Sequence, residues 1–218
     1  MTRTKLYGVA LLATLAFFVF TFNTTQALAQ TSSQSSSEAK IDQSINLDTQ
    51  LHLIVGTNES REEESVPPAL EPVIKQLRQS LPFKHYHVAA TLLNRVKNDG
   101  RLNLRWVGGP LLTPSAATAS TPSFNEFSTT SVRLFEDAQG HEMVRMSGFY
   151  FGARIPIQTS SSVASNGVTP VLVVNYENTG VNTDISMRLG EPVVVGTLNV
   201  GPSGDAIIIV VSAKKTSN

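Results

Sequence analysis

The stretch that decides the fold runs from Val171 to Val200, VLVVNYENTGVNTDISMRLGEPVVVGTLNV, and continues past a Gly-Pro-Ser-Gly turn into Ala206–Ser212, AIIIVVS. Short apolar or alternating runs at Val171–Tyr176, Val181–Met187, Val193–Thr197 and Ala206–Ser212 are each bounded by Gly, Pro, Asn or Asp. Strands of this length and spacing, with no helical run between them, predict an antiparallel sandwich or open barrel. Ile207 to Val211 are continuous and β-branched, so this strand is expected to be central and covered on both faces.

Upstream of this stretch the same grammar continues. Ser131–Phe135 and Glu142–Met146 flank the loop Glu136-Asp137-Ala138-Gln139-Gly140, and Phe149–Gln158 reads as a further strand. Pro156 lacks an amide hydrogen and restricts that strand to a sheet edge. Residues 131–214 are therefore read as an antiparallel β domain. Gly108–Thr130, dominated by Pro, Ser, Thr and Ala, is either a linker or a long loop.

A smaller α+β unit is expected over residues 51–107. Leu51–Val55 reads as a strand. Leu70, Ile74, Leu77 and Leu81 recur at spacings of four, three and four, with Val73 beside them, which is one face of an amphipathic helix. Pro67 and Pro68 suit its opening, and Pro72 requires the helix to begin close before it. Phe83–Val96 and Arg101–Val107 alternate as half-buried strands around Asn98-Asp99-Gly100, a hairpin signal. The fold class is thus α+β and mostly β: a strand-helix-hairpin unit, then a sandwich or open barrel.

The Val171–Val200 stretch also resembles part of the β-domain of bacterial secretins. The matching residues are Tyr176 and Gly180, a Tyr-x-x-x-Gly step after a strand, and then Gly190, Val193, Val194 and Gly196, a Gly-x-x-Val-Val-x-Gly hairpin. The strand-helix-hairpin unit is similar to the small α/β domains that precede secretin barrels. The chain is short for a whole secretin and lacks obvious membrane-lining hairpins. The resemblance implies a small envelope protein that makes β-mediated protein contacts, not a pore.

The N-terminus reads as an export signal. Arg3 and Lys5 precede an apolar run, Leu6–Phe20, and Ala27-Leu28-Ala29 offers a small-x-small cleavage pattern. The run is short of the ~20 residues that span a bilayer, so removal after Ala29 is expected, leaving no transmembrane segment. Gln30–Gln50, rich in Ser, Gln, Thr and Asn, is then a disordered tether. The expected location is the periplasm or exterior of a bacterial envelope.

Composition narrows the function. The 218 residues hold 17 basic and 17 acidic side chains and no cysteine. Balanced charge argues against a nucleic-acid binder, and the absence of cysteine excludes disulfides, thiolate metal sites and a cysteine nucleophile. No G-x-S-x-G elbow occurs, and Ser147-Gly148 and Ser203-Gly204 fit turn chemistry. Gly201–Asp205 lacks the Lys-Ser/Thr pair of a phosphate loop.

Two constellations remain. His85 and His87, two apart on a strand, share a face and are candidate metal ligands, with His52 on the neighbouring strand as a candidate third. Trp106, Tyr86 and Tyr150 are candidate aromatic platforms for a carbohydrate or other ligand. Trp106, in register with Leu102 and Leu104, also fits a core position. The leading expectation is a non-enzymatic exported protein that contacts another envelope protein or itself, with no cofactor. A ligand-binding module is the alternative, and a metal-dependent enzyme a third reading.

Overall fold

Ile207 to Val211 are fully buried, and their neighbours explain why. Ile207, Ile209 and Val211 face one hydrophobic cluster, and Ile208 and Val210 face another. A run of β-branched side chains on a period-two backbone can satisfy both only as an inner strand with a layer on each face.

That strand belongs to a computed structural model in which residues 44–59, 66–112, 121–161, 172–200 and 204–216 are described. These residues form β1 (Asn46–Thr57), a 3-10 turn (Pro68–Leu70), α1 (Glu71–Ser80), β2 (His85–Lys97) and β3 (Gly100–Gly108). They continue through β4 (Ser123–Glu136), β5 (Glu142–Ser161), β6 (Leu172–Arg188), β7 (Val193–Asn199) and β8 (Ala206–Lys215). The expected leader with Ala27 and Ala29, the expected tether up to residue 43 and residues 113–120 of the expected linker or loop lie outside the described residues.

The strands make two antiparallel sheets of four, ordered β2-β1-β8-β7 and β3-β4-β5-β6. Their inner faces enclose the main core, with Phe127, Phe149 and Phe151 at its centre and the Phe127 and Phe149 rings 5.3 Å apart. The outer face of the first sheet is covered by the 3-10 turn and α1, which bury Leu70 and Val73, Ile74 and Leu77 respectively against Ile54, Ile208 and Val210. Pro72 falls in the first turn of α1, where its missing N–H leaves no helical bond unmade. The class is thus α+β, mostly β, with the sandwich expected from the strand spacing.

Neighbouring strands follow chain order all the way round, and β8 returns to pair with β1. The ladder is interrupted between β2 and β3 and between β6 and β7, so a sandwich forms in place of a closed barrel. This corrects the hairpin expected at Asn98-Asp99-Gly100. The turn is tight and Asp99 takes φ +61°, but β2 pairs only with β1 and β3 only with β4. It is a corner between sheets. The Asn98 and Asp99 amides donate to the carbonyls of Ile45 and Val132, each at 2.8 Å, and hold the corner against both layers. Strands from residues 46–97 and 193–215 consequently share one sheet, and the 108–130 segment does not divide the sheets.

Several element bounds differ from expectation for local reasons. β1 starts at Asn46, inside the expected tether, because its first half pairs with β2 and β8 at once. β4 starts at Ser123, inside the expected linker, with Ser123, Asn125, Phe127 and Thr129 buried on one face. The two strands expected around Ser147-Gly148 are one strand with a register shift there, and Gly148 takes φ +56°. The Tyr176-x-x-x-Gly180 step likewise falls inside the continuous β6. Pro156 sits where β5 has run past the last β4 pair, Phe124 with Arg154. Its missing amide hydrogen leaves no β4 bond unmade there.

Candidate functional site

The outer face of the β3-β4-β5-β6 sheet carries exposed arginine and aromatic side chains around an open cleft. The shift at Ser147–Gly148 is what aims them. Before it, Val144 and Met146 point into the core. After it, Phe149 and Phe151 do. One strand therefore presents Arg145 on the outer face before the bulge, and Tyr150 and Arg154 after it. Bulges re-aim side chains in this way. The Gly148 amide donates to the Asp184 carboxylate on β6, and the Thr129 and Thr130 hydroxyls donate to the Ser147 carbonyl, each at 2.8 Å.

Two rows of cross-strand partners form the floor of an open cleft of about 660 Å³. One row is Val107, Phe124, Arg154 and Asn178, and the next is Arg105, Glu126, Gly152 and Gly180. The Arg154 guanidinium lies 5.8 Å from the Phe124 ring centre and 5.3 Å from that of Tyr176, so it is held by two aromatic faces. Tyr176 donates its hydroxyl to the Pro122 carbonyl at 3.0 Å. Arg105 pairs with Glu126 at 3.1 Å. A Cβ built on Gly152 would fall 2.4 Å from the Tyr150 hydroxyl oxygen, so the phenol lies over the bare glycine backbone. Val107, Phe124 and Tyr150 are exposed by 64%, 42% and 38%, a patch of apolar and aromatic surface on a sheet face that, among the described residues, no helix covers.

The structure separates the three expected aromatic residues. Tyr150 lines this cleft. Trp106 also contributes to its lining, but its ring packs on Phe151 at 6.5 Å and belongs to the sandwich core. Tyr86 lies on the far side of the molecule, beneath α1 and edge-on to Phe83 at 6.3 Å, where burial pushes its phenol pKa up. The register of Trp106 with Leu102 and Leu104 points to its core position, whereas the spacing does not separate Tyr86 from Tyr150. The Phe124–Arg154–Tyr176 stack escapes the spacing because Phe124 falls in Gly108–Thr130, which reads as a linker or long loop, and the bulge hides the β5 alternation.

The three histidines are also divided. His85 and His87 pair with Thr57 and Val55, and His52 pairs with Thr91. Cross-strand partners share a face, and β1 alternates, so His52 projects toward the α1 side while His85 and His87 project away from it. His52 is buried, its Nδ1 lies 2.9 Å from the Thr91 hydroxyl, and burial lowers its pKa. Among the described residues, no group of three or more His, Asp or Glu is placed to hold a metal ion. His141 rests against Asp137 at 3.0 Å in the β4–β5 loop, and Ser147 lies inside β5. The Asp137 carboxylate is held below its ordinary pKa, chiefly by the backbone amide of His141.

No family model matches the sequence, and no curated protein does. Among solved structures the chain is similar to three secretins. The Klebsiella pneumoniae type II secretion outer membrane complex of PulD, PulS and the PulC HR domain aligns at 12% identity and TM-score 0.34, over 80% of this chain and 39% of that one. The V. cholerae type IV competence pilus secretin PilQ aligns at 12% and 0.31, over 80% and 58%. The Salmonella SPI-1 type III injectisome secretin InvG aligns at 10% and 0.26, over 80% and 62%. The chain spans less than two thirds of each of these chains, and the resemblance to secretin β-domains is weak and partial.

Proposed function

We propose that the chain is a non-enzymatic, exported bacterial envelope protein that pairs with another envelope protein or with itself. The leader pattern at Arg3–Ala29 supports export. The observation that carries the contact role is the end of the β5–β6 pair. Beyond Arg154 these two strands continue as a ribbon, from Ile155 with Glu177 to Ser161 with Leu172, and neither pairs outward among the described residues. A two-stranded ribbon is marginal on its own and offers unpaired N–H and C=O groups to an incoming strand. Val173 on the ribbon is 40% exposed.

The test is light scattering at several concentrations together with crosslinked capture from an envelope fraction. Native protein is expected to self-associate or to capture one partner, and Val173→Lys to lose that contact. A strict monomer that captures nothing removes the reading.

A second reading, a glycan-binding module, is favoured by the Tyr150 ring over Gly152 in the open cleft. Aromatic faces of this kind stack on the apolar faces of sugars. A glycan array with no binding, and Trp106 fluorescence unmoved by sugars, removes it.

A further inference from the structure

Six of the eight arginines among the described residues, Arg101, Arg105, Arg133, Arg145, Arg154 and Arg188, lie on the outer face of the β3-β4-β5-β6 sheet, and all are exposed. Among the described residues no lysine shares that face, and its acids are Glu126 and Asp184. At the corners Asp99 lies 3.7 Å from Arg133, and Glu191 lies 3.8 Å from Arg188. Among the described residues no carboxylate pairs with Arg101, Arg145 or Arg154.

The placement of Arg133 and Arg145 is the most telling. They are direct cross-strand partners on β4 and β5. Like charges set opposite each other, with Cβ atoms about 5 Å apart, destabilise a sheet. Arg145 is further fixed over the Phe135 ring at 5.3 Å, and its Nε lies 3.5 Å from the Ser186 hydroxyl. Asp99 faces Arg133 and offsets its charge, so the fork presented to an anion is that of Arg145, and planar guanidinium groups read oxyanions in bidentate fashion.

From Arg145 to Arg154 the face extends about 30 Å along β5 at roughly 3.3 Å per residue. Between the two arginines it offers Tyr150 over Gly152 and, on the flanking strands, the exposed amides of Asn103, Asn178 and Asn182. Arginine for acid groups, an aromatic face for a sugar ring and amides for hydroxyls alternate along one flat surface. We infer that this sheet face binds an extended acidic polysaccharide, through carboxylate or sulfate groups on Arg145 and Arg154. The inference rests on the glycan-binding reading and names the class of glycan. The ribbon contact is elsewhere and does not depend on it.

Affinity electrophoresis of the purified protein tests it, in gels containing polygalacturonate, dextran sulfate or neutral dextran at about 50 mM salt. Retardation is expected with one or both polyanions, and which one identifies the acid group. Neutral dextran is expected to have no effect. Arg145→Gln and Arg154→Gln should each weaken binding about three- to tenfold, in line with loss of one charged contact. Lys75→Gln, on α1 and away from the face, should not. Near-ultraviolet circular dichroism of Trp106 checks that each variant is folded.

Migration unaffected by either polyanion overturns the inference, as does retardation that the arginine variants leave unchanged. Equal retention by duplex DNA or by vesicles of anionic lipid also overturns it. Retardation by neutral dextran alone sinks the acidic class and leaves the glycan reading standing. No retardation in any gel, with a blank glycan array, sinks both.

Discussion

The Asn98 side chain accepts a hydrogen bond from the backbone amide of Leu134 at 2.8 Å, buried at the corner where β2 hands the chain to β3. Leu134 lies on β4 of the second sheet, so this one side chain links the end of a first-sheet strand to the other layer. Asn98→Ala leaves the Leu134 amide without a partner in a buried place. The expected cost is about 1–3 kcal/mol, read as a lower denaturant midpoint with an unchanged slope. Asn98→Asp, which keeps the accepting oxygen but buries a charge, should also destabilise.

The two-sided burial of β8 makes a separate prediction. Ile208 belongs to the cluster beneath α1 and Ile209 to the sandwich core. Each truncation to alanine should cost about 2–5 kcal/mol. Combined with Leu77→Ala on α1, Ile208→Ala should show a coupling of about 0.5–3 kcal/mol, and Ile209→Ala should add within about 0.5 kcal/mol. Equal coupling at both positions would contradict the assignment of faces.

His52 predicts a step in stability with pH. Burial holds its folded pKa below the ordinary 6.5, so the unfolded chain takes up the proton first. Stability rises with pH wherever the unfolded state binds more protons. The contribution is therefore full above about pH 6.5 and falls as pH drops from there toward the lower folded value. Denaturant midpoints measured from pH 7.5 downward should show this loss for the native chain. His52→Gln should lack it.

Strand existence was legible because period-two alternation is local. Ile207–Val211, Arg101–Val107 and the Leu70–Leu81 helix face all followed from spacing alone. What escaped was decided at a distance. Asn98-Asp99-Gly100 carries the local chemistry of a hairpin turn, but whether its flanking strands pair depends on β1 and β4, which occupy the partner positions. Ser123–Thr130 reads as polar loop because Ser123, Asn125 and Thr129 are buried through specific bonds, such as the Asn125 amide to the Ser123 hydroxyl at 3.0 Å. The aromatic-arginine face stayed hidden for the same reason. The bulge at Gly148 shifts the parity of β5, and no residue count reveals which side Tyr150 and Arg154 then take.

Gly152 and Gly180 face each other across β5 and β6, yet their tolerance of a methyl group should differ. A Cβ on Gly180 would lie 2.5 Å from the Phe151 carbonyl oxygen and 3.2 Å from the Gly152 Cα, both backbone atoms fixed by the ladder. A Cβ on Gly152 would meet the tip of the Tyr150 side chain, which is exposed and free to rotate out. Gly180→Ala should therefore destabilise by about 1–3 kcal/mol, the usual cost of overpacking, and Gly152→Ala by clearly less. The Gly152 variant has a second consequence, because displacing the phenol removes the flat aromatic floor of the cleft. It should lose retardation by polyanionic glycans while keeping a near-native unfolding midpoint. If Gly152→Ala keeps full retardation, Tyr150 has no part in binding, and the arginines alone must account for it.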